Sequence, residues 1–520
     1  MPVAIETATK DELKDRVTAT ILGARDEITA LGDAIYRDPE LGFKEHHTSA
    51  RVAAFFDGIG LEHLDGLALT GVKGVVDTGR PGPTVAILGE LDAILVADHP
   101  DANHETGAVH ACGHNCQIAG MAAAATGLLR AGALSHLGGR LVFFAVPAEE
   151  YVELDYRERL RRDGRIGLLG GKAELVRLGE FDDVDLAMML HSGGGDVRRT
   201  KFTLGSTGNG FIGKLIRYRG LAAHAAAAPD QGVNALQAAL LGLQGINAQR
   251  ETFRDEDHIR VHPIITRGGD LVNVIPSEVW METYVRGATM EAVLSAAEKV
   301  DRALRAGALA VGAQVEITTI PGYLPQENNA DLNHLFRGNV LRHFSEDDLD
   351  VQEHMSASSD VGDLEHLMPV IQPSMNGSRG HFHGADYAIA DRDISYLWNG
   401  ILMAETAIDL LWDDAAVARE VLDRFTPLMT KAEYLAYLDS VSKAETFGEV
   451  VEPRARPSER DVSAHPGPSR GSVGPGCAET ADLPRALTRY LGLAWLAVIR
   501  SSTCSNRRRS RRSSSTAISW

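Results

Sequence analysis

Apolar and polar positions along the chain follow two different periods. From about residue 11 to residue 60, apolar side chains recur three and four positions apart, which predicts helices. Further on, continuous apolar runs alternate with helical patterns such as the Ala-rich stretch 118–134; the runs cover 72–76, 84–93, 140–150 and 185–195. Buried strands that alternate with helices predict an α/β fold with a mixed, mostly parallel sheet and flanking helices.

The pattern changes near Thr200. The segments 201–219 and 258–287 alternate with the two-residue period of strands, and helical patterns lie at 233–249 and 290–311. This order predicts a small α+β domain inserted into the larger one. We therefore divide the chain into a first part of the main domain, an inserted domain and a second part of the main domain that ends with a helix at 396–412; the three parts are 11–199, 200–318 and 319–449.

The last part of the sequence, 450–520, has a different composition. It is rich in Pro, Arg, Ser and Gly, ends in the basic run NRRRSRRSSS, and holds one apolar island at 491–499. Such composition cannot build a packed core, so we expect a disordered tail. The basic run is interpreted as a solvated tail, with an interaction arm as the alternative.

Composition and charge narrow the class of protein. The chain has 520 residues, 44% hydrophobic and 24% charged, as expected for a soluble globular protein of two or more domains. A net charge of −19 argues against nucleic acid or an anionic membrane as the partner. The N-terminus lacks an apolar signal segment, no apolar run could span a bilayer, and four cysteines give no disulfide framework. We expect a cytoplasmic protein that acts on small molecules.

The ends of three predicted strands carry side chains that bind metals. Cys112 and His114 precede the Ala-rich helix, Glu149 and Glu150 follow the run at 140–150, and His191 follows the next run. Open α/β sheets keep their sites at the carboxyl ends of the strands, so these side chains are expected to meet. Thiolate, imidazole and carboxylate groups predict a metal centre there.

Two adjacent glutamates suit a hydrolytic site. One can bind a metal while the other accepts a proton from a nearby water and later delivers it to a leaving amine. The alternative for an isolated Glu-Glu pair is a solvated loop. A second alternative is a Cys112 nucleophile paired with a histidine, but this leaves Glu149, Glu150 and His191 unexplained.

Nine motifs occur between residues 20 and 415 in the order found in a known family. They are DPELGFKE (38–45), GELDA (89–93), HACGHN (110–115), PAEE (147–150), LHSG (190–193), AAHAAAAPDQGVNAL (222–236), GGDLVNVIP (268–276), SSDVGD (358–363) and HGADY (383–387). Through them the sequence resembles the metal-dependent aminoacylases and exopeptidases of peptidase family M20. Within it, the sequence is similar to the amidohydrolase branch that includes p-aminobenzoyl-glutamate, hippurate and auxin-conjugate hydrolases.

The resemblance implies a centre of two divalent cations, Zn²⁺ or Mn²⁺. The metal ligands that it implies are Cys112, His114, Glu150, His191 and His383. Glu149 would be the general base and acid, and Asp92 an orienting carboxylate. In the sequence SRGHFHGADY, His381 is the alternative to His383, and Asn115 stands where an Asp is commoner in this branch.

The same resemblance implies a zinc-exopeptidase-like catalytic domain with a ferredoxin-like lid that also forms a homodimer. In the lid, His224 would stabilise the oxyanion, partly across the dimer. Asn273 and Arg286 would bind the carboxylate of the substrate, although Arg286 could equally form a structural ion pair. The function expected is hydrolysis of the amide bond of N-acyl or N-aroyl amino acids or dipeptide-like substrates. A catalytically silent, metal-binding relative is the alternative.

Overall fold

The computed structural model describes residues 8–193, 200–449 and 452. The predicted tail therefore lies outside the described residues, except for residue 452. The α-helices of the described chain are α1 Lys10–Gly23, α2 Arg25–Tyr36, α3 His46–Ile59, α4 His114–Arg130, α5 Leu154–Arg162, α6 Gly171–Leu178, α7 Ala235–Ala248, α8 Met290–Val311, α9 Ala330–His343, α10 Val361–Glu365, α11 Asn399–Leu411, α12 Ala416–Arg424 and α13 Lys431–Val441.

The strands of the same residues vary from two to ten residues in length. They are β1 His63–Leu67, β2 Gly71–Asp77, β3 Thr84–Glu90, β4 Ile94–Leu95, β5 Ala108–Val109, β6 Arg140–Val146, β7 Leu186–Met188, β8 His191–Ser192, β9 Phe202–Gly208, β10 Gly210–Arg219, β11 Arg260–Val261, β12 Ile264–Arg267, β13 Glu278–Gly287, β14 Gln314–Pro321, β15 Gln326–Glu327, β16 Leu349–Met355, β17 Val370–Ile371, β18 Ser374–Met375, β19 Ser378–Arg379, β20 Ala388–Ile389 and β21 Lys443–Phe447.

The central sheet has the strand order β1-β2-β6-β3-β7-β17. Strands β6, β3, β7 and β17 run parallel to one another, while β1 and β2 add an antiparallel edge. Every residue of β3 is buried, because helices cover both faces of the sheet. The mixed, mostly parallel sheet predicted from the apolar runs is confirmed.

Helix α4 packs against the central sheet and against α11 with small side chains. A Cβ atom at Gly120 would lie 2.2 Å from Cγ of Asn399, and one at Gly400 would lie 2.4 Å from Cβ of Ala123. The two helices can therefore approach closely only because these positions are glycines. This packing buries α4 from its first residue, His114, so that the start of the helix is held rigidly beside the sheet.

A second, antiparallel sheet forms the lid. Its strand order is β11-β13-β10-β14-β21, with β12 also paired to β13, and helices α7 and α8 pack on one face over a separate apolar core. The predicted α+β insert is therefore present, with three strands instead of two between its helices: the order is β10, α7, β11, β12, β13, α8 and then β14. Strand β21 comes from the segment 319–449 that we assigned to the catalytic domain, yet it pairs with β14 in the lid sheet.

The pairing of strand β9 tests the prediction that the inserted domain starts at residue 200. It pairs with β15, β16 and β18, which follow the insert in sequence, and not with the lid sheet. This pairing favours a boundary of the inserted domain near Asn209, and the domain limits remain a proposal.

No helix of the described residues is both long and apolar enough to cross a membrane. The cytoplasmic location stays a prediction.

Candidate metal centre

Three loops at the carboxyl ends of β3, β6 and β7 meet above the central sheet, together with the turn that precedes α4. Gly113 in that turn has φ of 79°, a left-handed conformation that glycine adopts without strain. A Cβ atom there would also lie 2.1 Å from Oγ of Ser192, so the turn fits against β8 only without a side chain. The close approach brings Cys112 and His114 to His191.

Cys112, His114 and His191 form one candidate ligand group. Their ligand atoms lie within 4.8 Å of one another, and Sγ of Cys112 is 3.5 Å from Nε2 of His191. Nδ1 of His191 is bonded to the carbonyl of Ser192 at 2.8 Å, and Nδ1 of His114 faces the carbonyl of Asp92 at 2.9 Å. Both rings therefore turn Nε2 toward the cluster, the orientation that metal-binding histidines adopt.

Cys112, Glu150 and His383 form a second group that shares the same thiol. Nε2 of His383 lies 3.1 Å from Oε1 of Glu150. Although burial acts in the opposite direction, His383 lowers the pKa of Glu150 to about 2. His381, in contrast, is largely exposed and bonded to Asp386 at 2.9 Å. The geometry thus brings His383, rather than His381, to the cluster.

The two groups together resemble a pair of adjacent cation sites joined by Cys112. Burial and Glu150 raise the pKa of this thiol, but His191 and His114 outweigh them and lower it to about 6. Within the described chain, Nε2 of His114 and Oε1 of Glu150 are buried and make no hydrogen bond, although each faces a side chain of opposite charge at 3.1 Å, Glu90 and His383 respectively. Buried polar atoms without a hydrogen bond are rare, so cations at these positions fit the residues present.

The loop that carries Glu149 and Glu150 is held tightly. Ala148 has φ of 55°, a left-handed conformation that is unfavourable for alanine. Arg157 of α5 is fully buried and donates to the carbonyls of Ala148, Leu169 and Glu150. The hydroxyl of Tyr323 donates to the carbonyl of Glu149. These donors fix the backbone from which both glutamates project.

Glu149 and Asp92 occupy different places around His114. Oε2 of Glu149 lies 3.8 Å from Nε2 of His114, and burial, followed by the charges of Glu90 and Glu150, raises the pKa of Glu149 well above its usual range. Asp92 is 3.2 Å from Nδ1 of His114 through one oxygen and accepts from the backbone N–H of Glu150 through the other at 2.8 Å. It therefore connects two of the loops.

The residues predicted in the lid differ in their relation to this cluster, since the charges of Glu149 and Glu150 act on Arg286. His224 and Asn273 are exposed, and among the described residues neither forms a hydrogen bond or an ion pair with a member of the cluster. Arg286 is half-buried, donates to Oγ of Ser358 at 2.7 Å and lies over the rings of Phe211 and Tyr284. The resemblance implied that these residues reach the substrate, partly across the dimer, and that expectation stays a prediction, since within the described residues of this single chain His224 and Asn273 make no such contact with the cluster.

Sequence reasoning missed a buried set of charged residues beside His114. Glu90 lies 3.1 Å from Nε2 of His114 and pairs with Lys172 at 2.6 Å, and Lys172 also contacts Asp360. Glu90 and Asp360 lie within the motifs GELDA and SSDVGD, but no role was given to them. For Glu90, a position two residues before Asp92 in the apolar run 84–93 was a usable signal, since alternate residues of a predicted strand share a face.

Comparison with protein-family models identifies the chain. Residues 86–405 match the model of the peptidase family M20/M25/M40. The chain belongs to this family. It is a hydrolase that acts on peptide or amide bonds, as the sequence motifs predicted.

Two relatives among characterised proteins have different substrates in their names. The Xaa-Arg dipeptidase of Mus musculus is 29% identical over 391 residues, which cover 72% of this chain and 81% of the relative. One of the p-aminobenzoyl-glutamate hydrolase subunits of Escherichia coli (strain K12) is 27% identical over 299 residues, 56% of this chain and 57% of the relative. Sequence identities of 29% and 27% do not show which of these substrates the chain hydrolyses.

Solved structures share the fold. A putative aminohydrolase from methicillin-resistant Staphylococcus aureus is 20% identical with a TM-score of 0.60, over 76% of this chain and 100% of its own. A Bacillus subtilis protein described as a dinuclear metal-binding peptidase of the M20 family is also 20% identical, with a TM-score of 0.54 over 75% and 99%. These likenesses show that the α/β domain and the antiparallel lid sheet belong to one known fold.

Proposed function

We propose that this enzyme hydrolyses the amide bond that joins an acyl, aroyl or aminoacyl group to an amino acid with a free carboxylate. The observation that carries the proposal is the pair of ligand groups that share Cys112, with Glu149 beside them. The names of the relatives, an Xaa-Arg dipeptidase and a p-aminobenzoyl-glutamate hydrolase, support this class of substrate.

Cys112, His114 and His191 would hold one divalent cation, and Cys112, Glu150 and His383 a second. The separation of 3.5 Å between Cys112 Sγ and His191 Nε2 supports this assignment, because tetrahedral zinc with N and S ligands separates them by about 3.5 Å. Bound cations would polarise the scissile carbonyl and lower the pKa of a water. Zn²⁺ and Mn²⁺ both suit this mixture of thiolate, imidazole and carboxylate.

Glu149 would move the proton. Its buried position and the negative charges of Glu90 and Glu150 raise its affinity for a proton, which suits a group that accepts one from water and then releases it. The hydroxyl of the water joins the acyl carbon, the C–N bond breaks, and Glu149 delivers the proton to the leaving nitrogen. Asp92 would keep Nε2 of His114 directed at the cation through its contact with Nδ1.

Arg286 would bind the carboxylate of the substrate. It lines a cavity of about 290 Å³ on the lid, and two further residues of this cavity, Arg260 and His262, add cationic or hydrogen-bonding groups. A guanidinium group can bind a carboxylate with two parallel hydrogen bonds. Asn273 is proposed as a second contact to the same carboxylate.

His224 would stabilise the oxyanion in the site of a second copy of the chain. The backbone of His224 pairs with that of Val274, and the segment just before Val274 exposes Asn273 together with the apolar residues Leu271 and Val272, which are 64% and 104% exposed. A second copy that covers this part of the lid would bury the apolar surface and surround His224 with substrate groups. We therefore propose a homodimer formed through the lid.

A substrate panel tests the function. The purified protein, loaded with Zn²⁺ or Mn²⁺, is incubated with p-aminobenzoyl-glutamate, N-acyl amino acids and dipeptides with acidic, neutral or basic C-terminal residues. We expect amino-acid release from at least one class, and its abolition by a chelator and by Glu149→Ala. Chelator-resistant turnover would contradict the metal mechanism, and a metal-loaded protein inert toward the whole panel would contradict the proposed substrates.

A further inference from the structure

The cavity that contains Arg286 carries opposite charges toward its two ends. Arg260, Glu282 and Arg286 all line it, and its volume is about 290 Å³. Glu282, Tyr284 and Arg286 alternate along β13 and therefore share one face of the lid sheet. On this face Leu215, the cross-strand partner of Glu282, and Tyr284 pack against an apolar core beside the central sheet. The cavity therefore lies on the side of the lid that faces away from α7 and α8.

The basic end of the cavity consists of two arginines without acidic partners. Arg260 of β11 pairs directly with Arg286 of β13, which brings two positive side chains together on adjacent strands. Among the residues that the structure describes, neither guanidinium group forms an ion pair, and Arg286 donates to the neutral hydroxyl of Ser358. Like charges directly opposite each other are unfavourable, so an anion bound between them would stabilise this end. The charges of Glu149 and Glu150 act on Arg286, and this end therefore lies toward the metal centre.

The acidic end is a half-buried carboxylate between apolar side chains. The cross-strand neighbours of Glu282 are Leu215 on β10 and Ile264 on β12. Within the described part of the chain, the side chain of Glu282 forms no hydrogen bond or ion pair. Burial, followed by the negative charge of Asp155, raises the pKa of Glu282. A carboxylate in such surroundings would be stabilised by a cation with a long aliphatic stem that covers the apolar neighbours.

The spacing between the two ends matches a basic amino acid. Glu282 and Arg286 are four residues apart on an extended strand, which separates their Cα atoms by about 13 Å. Charge-assisted hydrogen bonds of about 2.8 Å at each end leave roughly 7–8 Å for the molecule between them. The six bonds from the carboxylate carbon of arginine or lysine to the end of its side chain span roughly the same distance when extended. An acidic amino acid is shorter and would bring a second carboxylate to Glu282.

We propose that this cavity binds the leaving amino acid of the substrate and that Glu282 selects a basic side chain, such as that of arginine or lysine. Arg286 and Arg260 then hold the carboxylate near the metal centre, and Glu282 accepts hydrogen bonds from the cationic end. The inference rests on the proposed function, because it requires a leaving group that is an amino acid with a free carboxylate.

Matched substrates test the selectivity. Arginine and citrulline have side chains of nearly the same shape, but only that of arginine is charged, so the ratio of their kcat/KM values isolates the charge. The metal-loaded protein is assayed with benzoyl and alanyl conjugates of arginine, citrulline, leucine and glutamate. We expect arginine to be preferred to citrulline by about 10- to 100-fold, as for a hydrogen bond between charged groups, and glutamate to be the poorest. Equal values for arginine and citrulline would overturn the inference.

Glu282→Gln should abolish the preference for arginine over citrulline, because the amide keeps the shape of the side chain and loses its charge. Glu278→Gln is the matched control, since Glu278 is half-buried on the same face of β13 but pairs with Arg217 and lies outside the residues that line the cavity. It should keep the ratio of the wild type. A Glu282→Gln protein, folded by circular dichroism, that still prefers arginine would contradict the role of Glu282.

Glu282→Lys should reverse the order of substrates. A lysine at this position repels a basic side chain and attracts an acidic one, so the glutamate conjugate should become better than the arginine conjugate. A folded Glu282→Lys protein with the preference of the wild type would show that the side chain at this position does not meet that of the substrate.

Arg260→Gln tests the basic end. Because Arg260 is exposed, its loss should raise KM for every conjugate by about 2- to 5-fold, as for an exposed ion pair, and leave the ratio of arginine to citrulline unchanged. An unaltered KM would remove Arg260 from the carboxylate site.

Binding of the free amino acids separates this inference from the proposed function. By calorimetry, arginine should bind to the wild type about 10- to 100-fold more tightly than citrulline, and Glu282→Gln should remove the difference. If conjugates are hydrolysed but arginine is preferred in neither assay, only the role of Glu282 is wrong. If arginine is preferred in binding but no conjugate is hydrolysed, the cavity recognises basic amino acids and the proposed function is wrong.

Discussion

The catalytic domain and the lid differ in how far each prepares its functional residues. In the catalytic domain, Glu149 and the proposed ligands lie within a few ångströms of one another in a single chain, and of these side chains only that of His383 is exposed. In the lid, His224 and Asn273 are exposed and form no hydrogen bond or ion pair with that cluster among the described residues. The fold of one chain brings the proposed metal ligands together, whereas the lid residues need a second copy of the chain to complete their proposed site.

The physical reason is the kind of support that each region has. Strand ends of one sheet, covered by helices on both faces, cannot move relative to one another without loss of packing. The lid residues lie on loops at a surface where apolar side chains are also exposed, such as Val272. We infer that cations are bound by the isolated chain, whereas completion of the oxyanion site depends on the second copy. The following predictions test this difference.

The largest effect is expected from the two glutamates, which should fail in different ways. Glu149→Gln should retain both metal ions and lower kcat by about 10²- to 10⁴-fold, because it removes only the group that moves the proton. Glu150→Gln should lose metal at the His383 site. Metal content and kcat of both variants check this, and loss of metal in Glu149→Gln would show that the two roles are not separate.

Mixed dimers test the dependence of the lid on a second copy. His224→Ala should lower kcat by about 10²- to 10³-fold, as expected for loss of an oxyanion donor, with metal content unchanged. When the inactive variants His224→Ala and Glu149→Gln are mixed at equal amounts and allowed to exchange protomers, about a quarter of all sites regain both groups. Activity that reappears on mixing supports action across the dimer, and its absence would mean that His224 acts in its own chain.

Arg157→Met tests whether the hydrogen bonds of the fold hold the loop that carries Glu149 and Glu150 in its metal-binding conformation. The substitution removes the Arg157 donor from three buried carbonyls; those of Ala148 and Glu150 still accept from the N–H groups of Gly171 and Val152, whereas that of Leu169 loses its donor, so the free energy of unfolding should fall by about 1–3 kcal/mol. Metal affinity should fall about 10-fold. Arg157→Lys should restore part of both, and Arg159→Met, on the exposed face of the same helix, should change neither. Unaltered metal affinity in a folded Arg157→Met protein would show that the loop keeps its conformation without the hydrogen bonds from Arg157.

The smallest effect is a pH dependence in the metal-free protein. Because His191 and His114 lower the pKa of Cys112 to about 6, against the opposing effects of burial and Glu150, the thiolate should form between pH 5 and 7. Its absorption near 240 nm should rise in that range, and metal affinity should fall about tenfold for each pH unit below 6, since protons then compete with the metal. A thiol that titrates at its ordinary pKa near 9 would show that the histidines do not prepare the site.

Much of the site follows from local features of the sequence. The apolar runs predicted the buried strands, and the ligand side chains directly after them predicted which loops would meet. Ordered motifs such as HACGHN and PAEE identified the family, and the family match confirms that identification. These features are local, since the apolar pattern of a strand and the residues that follow it are encoded within about ten positions.

Other features appear only in the folded chain. Lys172 lies 82 residues from Glu90 and 188 from Asp360 in sequence, and no periodic pattern connects them. Strand β21 joins the lid sheet across more than a hundred residues from β14, although its sequence is close to the end of the described chain. The support that Arg157 gives to the glutamate loop depends on how α5 folds back over that loop.

The sequence by itself therefore determined the family, the layered α/β fold and the chemical identity of the proposed ligands. Only the tertiary structure decided that Cys112 belongs to two ligand groups, that His383 rather than His381 faces Glu150, and that His224 stands apart. The reason is physical: apolar periodicity specifies which faces are buried, whereas ligand distances and charge pairing depend on contacts between distant segments that form together when the core packs.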